Sequence, residues 1–126
     1  MPTISYFEVP VKNVKRAQKF YGSLLGWKFE KTGGAEDYFM IKSRAGRGEC
    51  AIPGGLYKAR DARLASLPIV EYVTVPSISR LTAKVKRLGG KVVVPKTTME
   101  MGSWALVRDT EKNTLGLYEE KKGRRR

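Results

Sequence analysis

Residues 4–29 read ISYFEVPVKNVKRAQKFYGSLLGWKF. Phe7, Val9 and Val11 alternate with Tyr6 and Glu8, which is the period of a strand with two unlike faces. Asn13 follows, a favoured helix N-cap. Val14, Ala17, Tyr21 and Leu24 then recur at helical spacing and form one apolar stripe. Gly26 supplies the stop. Residues 70–93, VEYVTVPSISRLTAKVKRLGGKVV, repeat the unit in weaker form. A shift of 64 residues (73 − 9) lays Val9 on Val73, Asn13 on Ser77, Ala17 on Leu81, Tyr21 on Val85, Leu24 on Leu88 and Gly26 on Gly90. Few identities survive, but the physical class of residue mostly does. In the second copy Ser77 is the cap, Ile78, Leu81, Val85 and Leu88 are the stripe, and Gly89 and Gly90 end the helix.

Three strand-like segments follow each helix. In the first copy they are expected over Lys28–Lys31, Tyr38–Lys42 and Cys50–Pro53. In the second they are expected over Lys91–Val94, Ser103–Val107 and Leu115–Glu119. Residues 54–68, GGLYKARDARLASLP, are rich in glycine and charge and read as a crossover linker. The fold class is therefore α+β, with two tandem βαβββ modules in a single domain over residues 1–126. Module one is expected at about 3–54, the linker at 55–68, module two at about 69–119 and a basic tail at 120–126. A half of roughly 60 residues buries too little apolar surface alone, so the two halves are expected to pair, within the chain or across a dimer.

Alternation along the strands sorts their side chains by face. The valine-rich face of each first strand is expected to meet its helix, which needs an apolar partner. Ala105, Val107, Leu115 and Leu117 are expected on the helix side of the later strands. The opposite face then carries Tyr6, Glu8, Met40, Ile52, Val70, Tyr72, Trp104, Gly116 and Tyr118. The 64-residue shift sets Met40 against Trp104 and Ile52 against Gly116. Aromatic walls with one carboxylate, Glu8, suit a flat or cationic organic ligand. The same aromatics could equally fill the space between two sheets as ordinary core.

The totals narrow the class. The chain has 126 residues, with 25 Lys and Arg against 12 Asp and Glu, so the formal charge is +13. The tail KKGRRR carries five of these charges, which leaves 13 − 5 = 8 on the body. Such a body attracts anions, although a charge run by itself usually marks a solvated face. No apolar run approaches the roughly 18 residues of a bilayer span. No basic region precedes an apolar core at the N-terminus, and the single cysteine, Cys50, has no intrachain partner. A reducing cytoplasmic setting and no membrane association are expected. Cys50 begins an expected apolar strand and reads as structural rather than nucleophilic.

Two stretches resemble a known family, the glyoxalase/bleomycin-resistance/dioxygenase superfamily, also called vicinal oxygen chelate proteins. FEVPVKNVKRAQKFYGSLLGWKF, above all its segment AQKFYGSLLGWKF, looks like that family's first module. VRDTEKNTLGLYE (residues 107–119) resembles its closing motif. The resemblance runs from Ile4 to about Glu119 and implies two half-barrel sheets around a cavity, usually in a homodimer. It also implies a divalent metal held by histidine and carboxylate on the first and last strands of each module. Those positions fall here on Tyr6, Val70, Gly116 and, in an uncertain register, Pro53 or Gly54. None is a usual ligand, and the chain contains no histidine. Imidazole sites for zinc, nickel or iron are therefore ruled out, and an all-oxygen site would need several convergent carboxylates.

The expected function is metal-free and cofactor-free binding of a small organic molecule, as in the drug-sequestering members of that family. One alternative is a lyase or isomerase related to glyoxalases, with Glu8 as acid or base. Another is binding of nucleic acid or a different polyanion by the basic helix faces and tail. Against the latter, no aromatic residue sits among those charges to stack on bases.

Overall fold

The computed structural model describes residues 2–32, 37–43, 46–47 and 50–121. Two compact units divide the chain, one of Tyr6–Ile69 and one of Val70–Arg126 together with Met1–Ser5. Each has the order strand, helix, three strands.

The first unit holds β1 (Ile4–Val11) from Tyr6 onward, α1 (Val14–Leu25), β2 (Lys28–Lys31), β3 (Tyr38–Lys42), β4 (Gly54–Lys58) and a short α2 (Ala62–Ala65). β1 pairs parallel with β4, β4 antiparallel with β3, and β3 antiparallel with β2. Asn13 caps α1, its Oδ1 accepting from the Arg16 N–H at 2.9 Å. Gly26 closes the helix at φ 73°, a left-handed conformation that other residues adopt at a cost. The buried core is Val9, Ile41 and Leu56, packed by Phe7, Val11, Val14, Ala17, Tyr21, Trp27 and Phe29. Tyr21 and Trp27 stack at 5.4 Å, and Phe7 tilts against Trp27 at 5.9 Å.

The second unit repeats the order as β5 (Val70–Thr74), α3 (Ile78–Arg87), β6 (Lys91–Thr98), β7 (Gly102–Arg108) and β8 (Thr114–Glu120). β5 pairs parallel with β8, and β7 lies antiparallel to both β8 and β6. Its core is Val75, Ile78, Ala105, Val107 and Leu117, packed by Val73, Leu81, Val85, Val92 and Leu115. The valine face of β5 and the Ala105, Val107, Leu115, Leu117 set thus meet α3, as alternation requires. Leu24 and Leu88 do not complete their stripes; they are 63% and 66% exposed. Both stand at the ends of their helices, Leu24 one residue before the end of α1 and Leu88 at the C-cap of α3.

α3 is anchored from outside its own segment. Ser77 Oγ accepts from the Arg80 N–H at 3.2 Å, and Glu119 Oε1 on β8 accepts from the Ile78 N–H at 2.8 Å. Two of the four N–H groups left unpaired by helix geometry are thereby satisfied, and the carboxylate lies at the positive end of the helix. Lys96 Nζ approaches the same oxygen at 3.7 Å, too far for more than a weak surface pair. Glu119→Ala is expected to lower stability by about 1 kcal/mol, the usual worth of a cap. Urea unfolding tests this, and an unchanged midpoint would show that Ser77 suffices alone.

The last strand of the first unit corrects the sequence reading. It spans Gly54–Lys58, not Cys50–Pro53, so the segment expected as linker opens with a strand. Gly54 and Gly55, which open the expected linker, both lie inside β4, where rings cross their backbones. A Cβ on Gly54 would stand 2.5 Å from the Phe7 ring, and one on Gly55 2.0 Å from Tyr38 Oη. Glycine is required here for space, not for bending. Cys50 is exposed and outside any strand, which removes its expected structural burial. Lys121 follows β8, and the rest of the basic tail lies outside the described residues. No helix among the described residues is long and apolar enough to cross a membrane.

Candidate functional site

In the first unit, one sheet face packs on α1 and the other gathers polar aromatics. β1 presents Tyr6 and Glu8 on that second face. Glu8 stands beside Gly55 in the parallel pair, and Met40 stands beside Gly55 in the antiparallel one. Tyr38 pairs with Tyr57 one step along. The missing side chain at Gly55 leaves the space into which the Tyr38 phenol reaches.

A hydrogen-bonded chain results. Tyr38 Oη donates to Glu8 Oε2 at 2.7 Å. Tyr6 Oη lies 2.6 Å from Tyr38 Oη. Tyr38 has one hydroxyl proton and gives it to the carboxylate, so Tyr6 donates in the second bond. The Met40 sulfur stands 3.5 Å from Tyr6 Oη as a weaker alternative acceptor for the same proton. Tyr57 stacks on Tyr38 with centroids 6.0 Å apart and planes at 11°. Three phenols and one carboxylate thus share a face.

The electrostatics keep these phenols protonated. Burial, then the Glu8 charge, push the Tyr38 hydroxyl far above its ordinary range. Burial also raises Tyr6, with the Tyr38 hydrogen bond acting downward and the Glu8 charge upward. Burial and the Glu8 charge, with a smaller share from Asp61, push Tyr57 up to about 12. A phenolate beside a half-buried carboxylate would place two negative charges together in a poorly solvated place. Near neutral pH the three phenols are therefore neutral, and Tyr38 donates to the Glu8 carboxylate.

The second unit builds its corresponding face differently. Tyr72 stands beside Gly116, and Leu106 faces Gly116 from β7. A Cβ on Gly116 would lie 2.4 Å from the Tyr72 ring. Tyr72 is 7% exposed and Val70 3%. Trp104 pairs with Tyr118, whose Oη donates to the Met101 carbonyl at 3.0 Å.

Tyr6, Glu8 and Met40 come together in the first unit, while Val70, Tyr72, Trp104, Gly116 and Tyr118 belong to the second. Ile52 leaves the set: it precedes β4 and is 48% exposed. The partner of Gly116 in the repeat is Gly55, a shift of 61 (116 − 55) rather than 64, and the partner of Leu106 is Met40, so Met40 does not match Trp104. The connections differ in length, residues 43–53 before β4 but only 109–113 before β8, and a constant shift cannot span both. Tyr38 and Tyr57 were missed. Alternation from Met40 already assigns Tyr38 to this face, whereas Tyr57 became visible only once β4 was placed.

The closing motif has a structural role. Asp109 Oδ1 accepts from the N–H groups of Glu111 and Asn113 at 2.8 and 2.9 Å, and Oδ2 accepts from Asn113 Nδ2 at 3.1 Å. These bonds, with those to Asn113 the strongest influence, hold the Asp109 carboxyl below its ordinary range. They shape a turn in which Lys112 takes φ 70°.

Two βαβββ units, each with one helix-packed and one aromatic face, define a glyoxalase-like α+β protein. The Glyoxalase/Bleomycin resistance protein/Dioxygenase superfamily matches residues 3–117, and the chain belongs to that family. Among solved structures, a superfamily member from Vibrio splendidus 12B01 is similar at 11% identity and TM-score 0.64, covering 95% of this chain and 100% of that one. A hypothetical protein from Bacillus halodurans C-125 is similar at 14% identity and TM-score 0.65, covering 99% of each chain. Methylmalonyl-CoA epimerase from Mycobacterium tuberculosis is similar at 11% identity and TM-score 0.61, covering 94% and 87%. Identities this low speak for the fold alone. No curated protein matches the sequence.

Proposed function

We propose that this chain is a metal-free member of the superfamily that binds a small organic molecule bearing a cationic or hydrogen-bond-donating group. The observation that carries the reading is Glu8, set among Tyr6, Tyr38 and Tyr57, its Oε2 accepting from Tyr38 Oη at 2.7 Å. A carboxylate framed by aromatic rings attracts a cation both by charge and by the ring faces. Its hydrogen bond from Tyr38 fixes its direction, so little ordering is needed on binding.

The donor set does not fit the metal that the family's enzymes hold. The chain has no histidine, and among the described residues no three His, Cys, Asp or Glu side chains group as a metal would need. The first-strand position, Tyr6, is a protonated phenol committed to Tyr38. The last-strand position of the second unit is Gly116, and its counterpart in the first unit, expected at Pro53 or Gly54, is Gly55; neither glycine carries a side chain.

Thermal unfolding with and without EDTA tests the proposal, using an aromatic cation such as phenyltrimethylammonium and, separately, nickel, zinc and manganese. The expected result is stabilisation by the aromatic cation, unaffected by EDTA, with an affinity about tenfold or more lower in Glu8→Gln. Stabilisation by a divalent metal that EDTA reverses, or no response to any organic cation, would sink the reading. The same hydrogen-bonded chain favours a second reading, proton transfer by Glu8 in a lyase or isomerase. That reading requires a turnover lost in Glu8→Gln while binding persists.

A further inference from the structure

β7 alternates strictly, with Ala105 and Val107 in the core against α3. Trp104, Leu106 and Arg108 therefore line the opposite face. Arg108 ends that row, between Lys91 on β6 and Thr114 on β8, its register partners on either side. Paired residues of an antiparallel ladder project to the same side, so a guanidinium, an ammonium and a hydroxyl share one end of the sheet face.

The Nε of Arg108 is buried and has no hydrogen-bond partner among the described residues. A buried N–H left unpaired is unfavourable, which favours an acceptor supplied from elsewhere. The carboxylates of the adjoining turn do not supply it. Asp109 spends both oxygens on Glu111 and Asn113, and Glu111 Oε2 accepts from Thr110 Oγ1 at 3.0 Å.

We propose that Arg108, flanked by Lys91 and Thr114, is a binding site for an oxyanion, the carboxylate or phosphate group of a small molecule. A guanidinium presents Nε–H and a terminal N–H as a planar fork that matches two oxygens of either group. Lys91, exposed at the rim, adds a second positive charge, and Thr114 offers a hydroxyl. This site lies wholly in the second unit and does not depend on the Glu8 reading.

The test titrates the full chain with inorganic phosphate and, separately, with benzoate, at ionic strength held constant with sodium chloride, and follows backbone amide shifts by NMR. Saturable binding of at least one of the two is expected, centred on β6, β7 and β8; which one binds identifies the source of the oxyanion. Arg108→Met is expected to weaken it about tenfold or more. Arg80→Met, which removes an exposed charge of α3, is expected to leave it unchanged. If Arg108→Met does not fold, Arg108→Lys keeps the charge and stem but loses the fork, and the same weakening is expected. No saturable shift at matched ionic strength would overturn the proposal. So would equal weakening by Arg80→Met, which would show only diffuse attraction to a chain of charge +13.

Discussion

Gly116→Val is expected to destabilise the protein by about 3 kcal/mol and to lower Tm by roughly 10 °C. The position needs no unusual backbone angle: among the described glycines only Gly26 and Gly89 have positive φ. It needs emptiness. A Cβ there would stand 2.4, 2.5 and 2.6 Å from three carbons of the Tyr72 ring, well inside contact distance. Tyr72 is nearly fully buried and its neighbour Leu106 is 1% exposed, so the ring cannot swing aside into solvent. The added branches must displace the ring or push β8 from β5. Chemical denaturation of the single and double variants checks the cause. Gly116→Val with Tyr72→Ala should lose less than the sum of the two single changes, because the clash and the ring share one volume. Strict additivity would show that the strain lies elsewhere.

Tyr38→Phe is the second large effect. The substitution keeps the ring over Gly55 and its stack on Tyr57 but deletes the hydroxyl that links Glu8 to Tyr6. A half-buried carboxylate loses its neutral donor, and a loss of about 2 kcal/mol at neutral pH is expected. The pH dependence carries a second signature. The folded pKa values of Tyr6, Tyr38 and Tyr57 are all raised above the unfolded value, Tyr57 to about 12. Between the unfolded and folded values the native state holds more protons than the unfolded one, so stability falls as pH rises. This contribution is fully present below about pH 10, the ordinary tyrosine value, and is lost as pH climbs through the folded values. Wild type is therefore expected to lose stability steeply in alkaline solution. Tyr38→Phe should lose it less steeply, since it lacks one raised phenol. Urea midpoints across the alkaline range, compared between the two proteins, separate this from the titration of lysines, which both share. Parallel curves would argue that the Tyr38 phenol ionises as freely folded as unfolded.

Much of this architecture was legible in the chain. Asn13 and Ser77 as caps, Gly26 as stop, and alternating strands before and after each helix indicated two βαβββ units and the helix-facing side of β1, β5, β7 and β8. Local preferences of this kind act over three or four residues, and neither unit needs the other to express them. Glu8 on the polar face followed from Phe7, Val9 and Val11 on the apolar one. Tyr38 was within reach of the same alternation, through Met40 two residues on.

The placement of β4 was not legible, because Gly54 and Gly55 carry the same letters whether they turn the chain or admit a ring. Only the tertiary structure, with Phe7 and Tyr38 lying across their backbones, distinguishes the two. Everything that follows from that register was hidden with it: Tyr57 on the face of Glu8, Gly55 as the counterpart of Gly116, and Ile52 outside the sheet. The capping of α3 by Glu119 and the unpaired Nε of Arg108 are likewise tertiary. Each depends on where a side chain ends among strands distant in sequence, a relation that residue order specifies only once the chain has packed. The sequence by itself determined the two units and their inward and outward faces through short-range periodicity. The tertiary structure decided which polar groups on those faces meet, because that is set by strand register and by the space that glycine leaves.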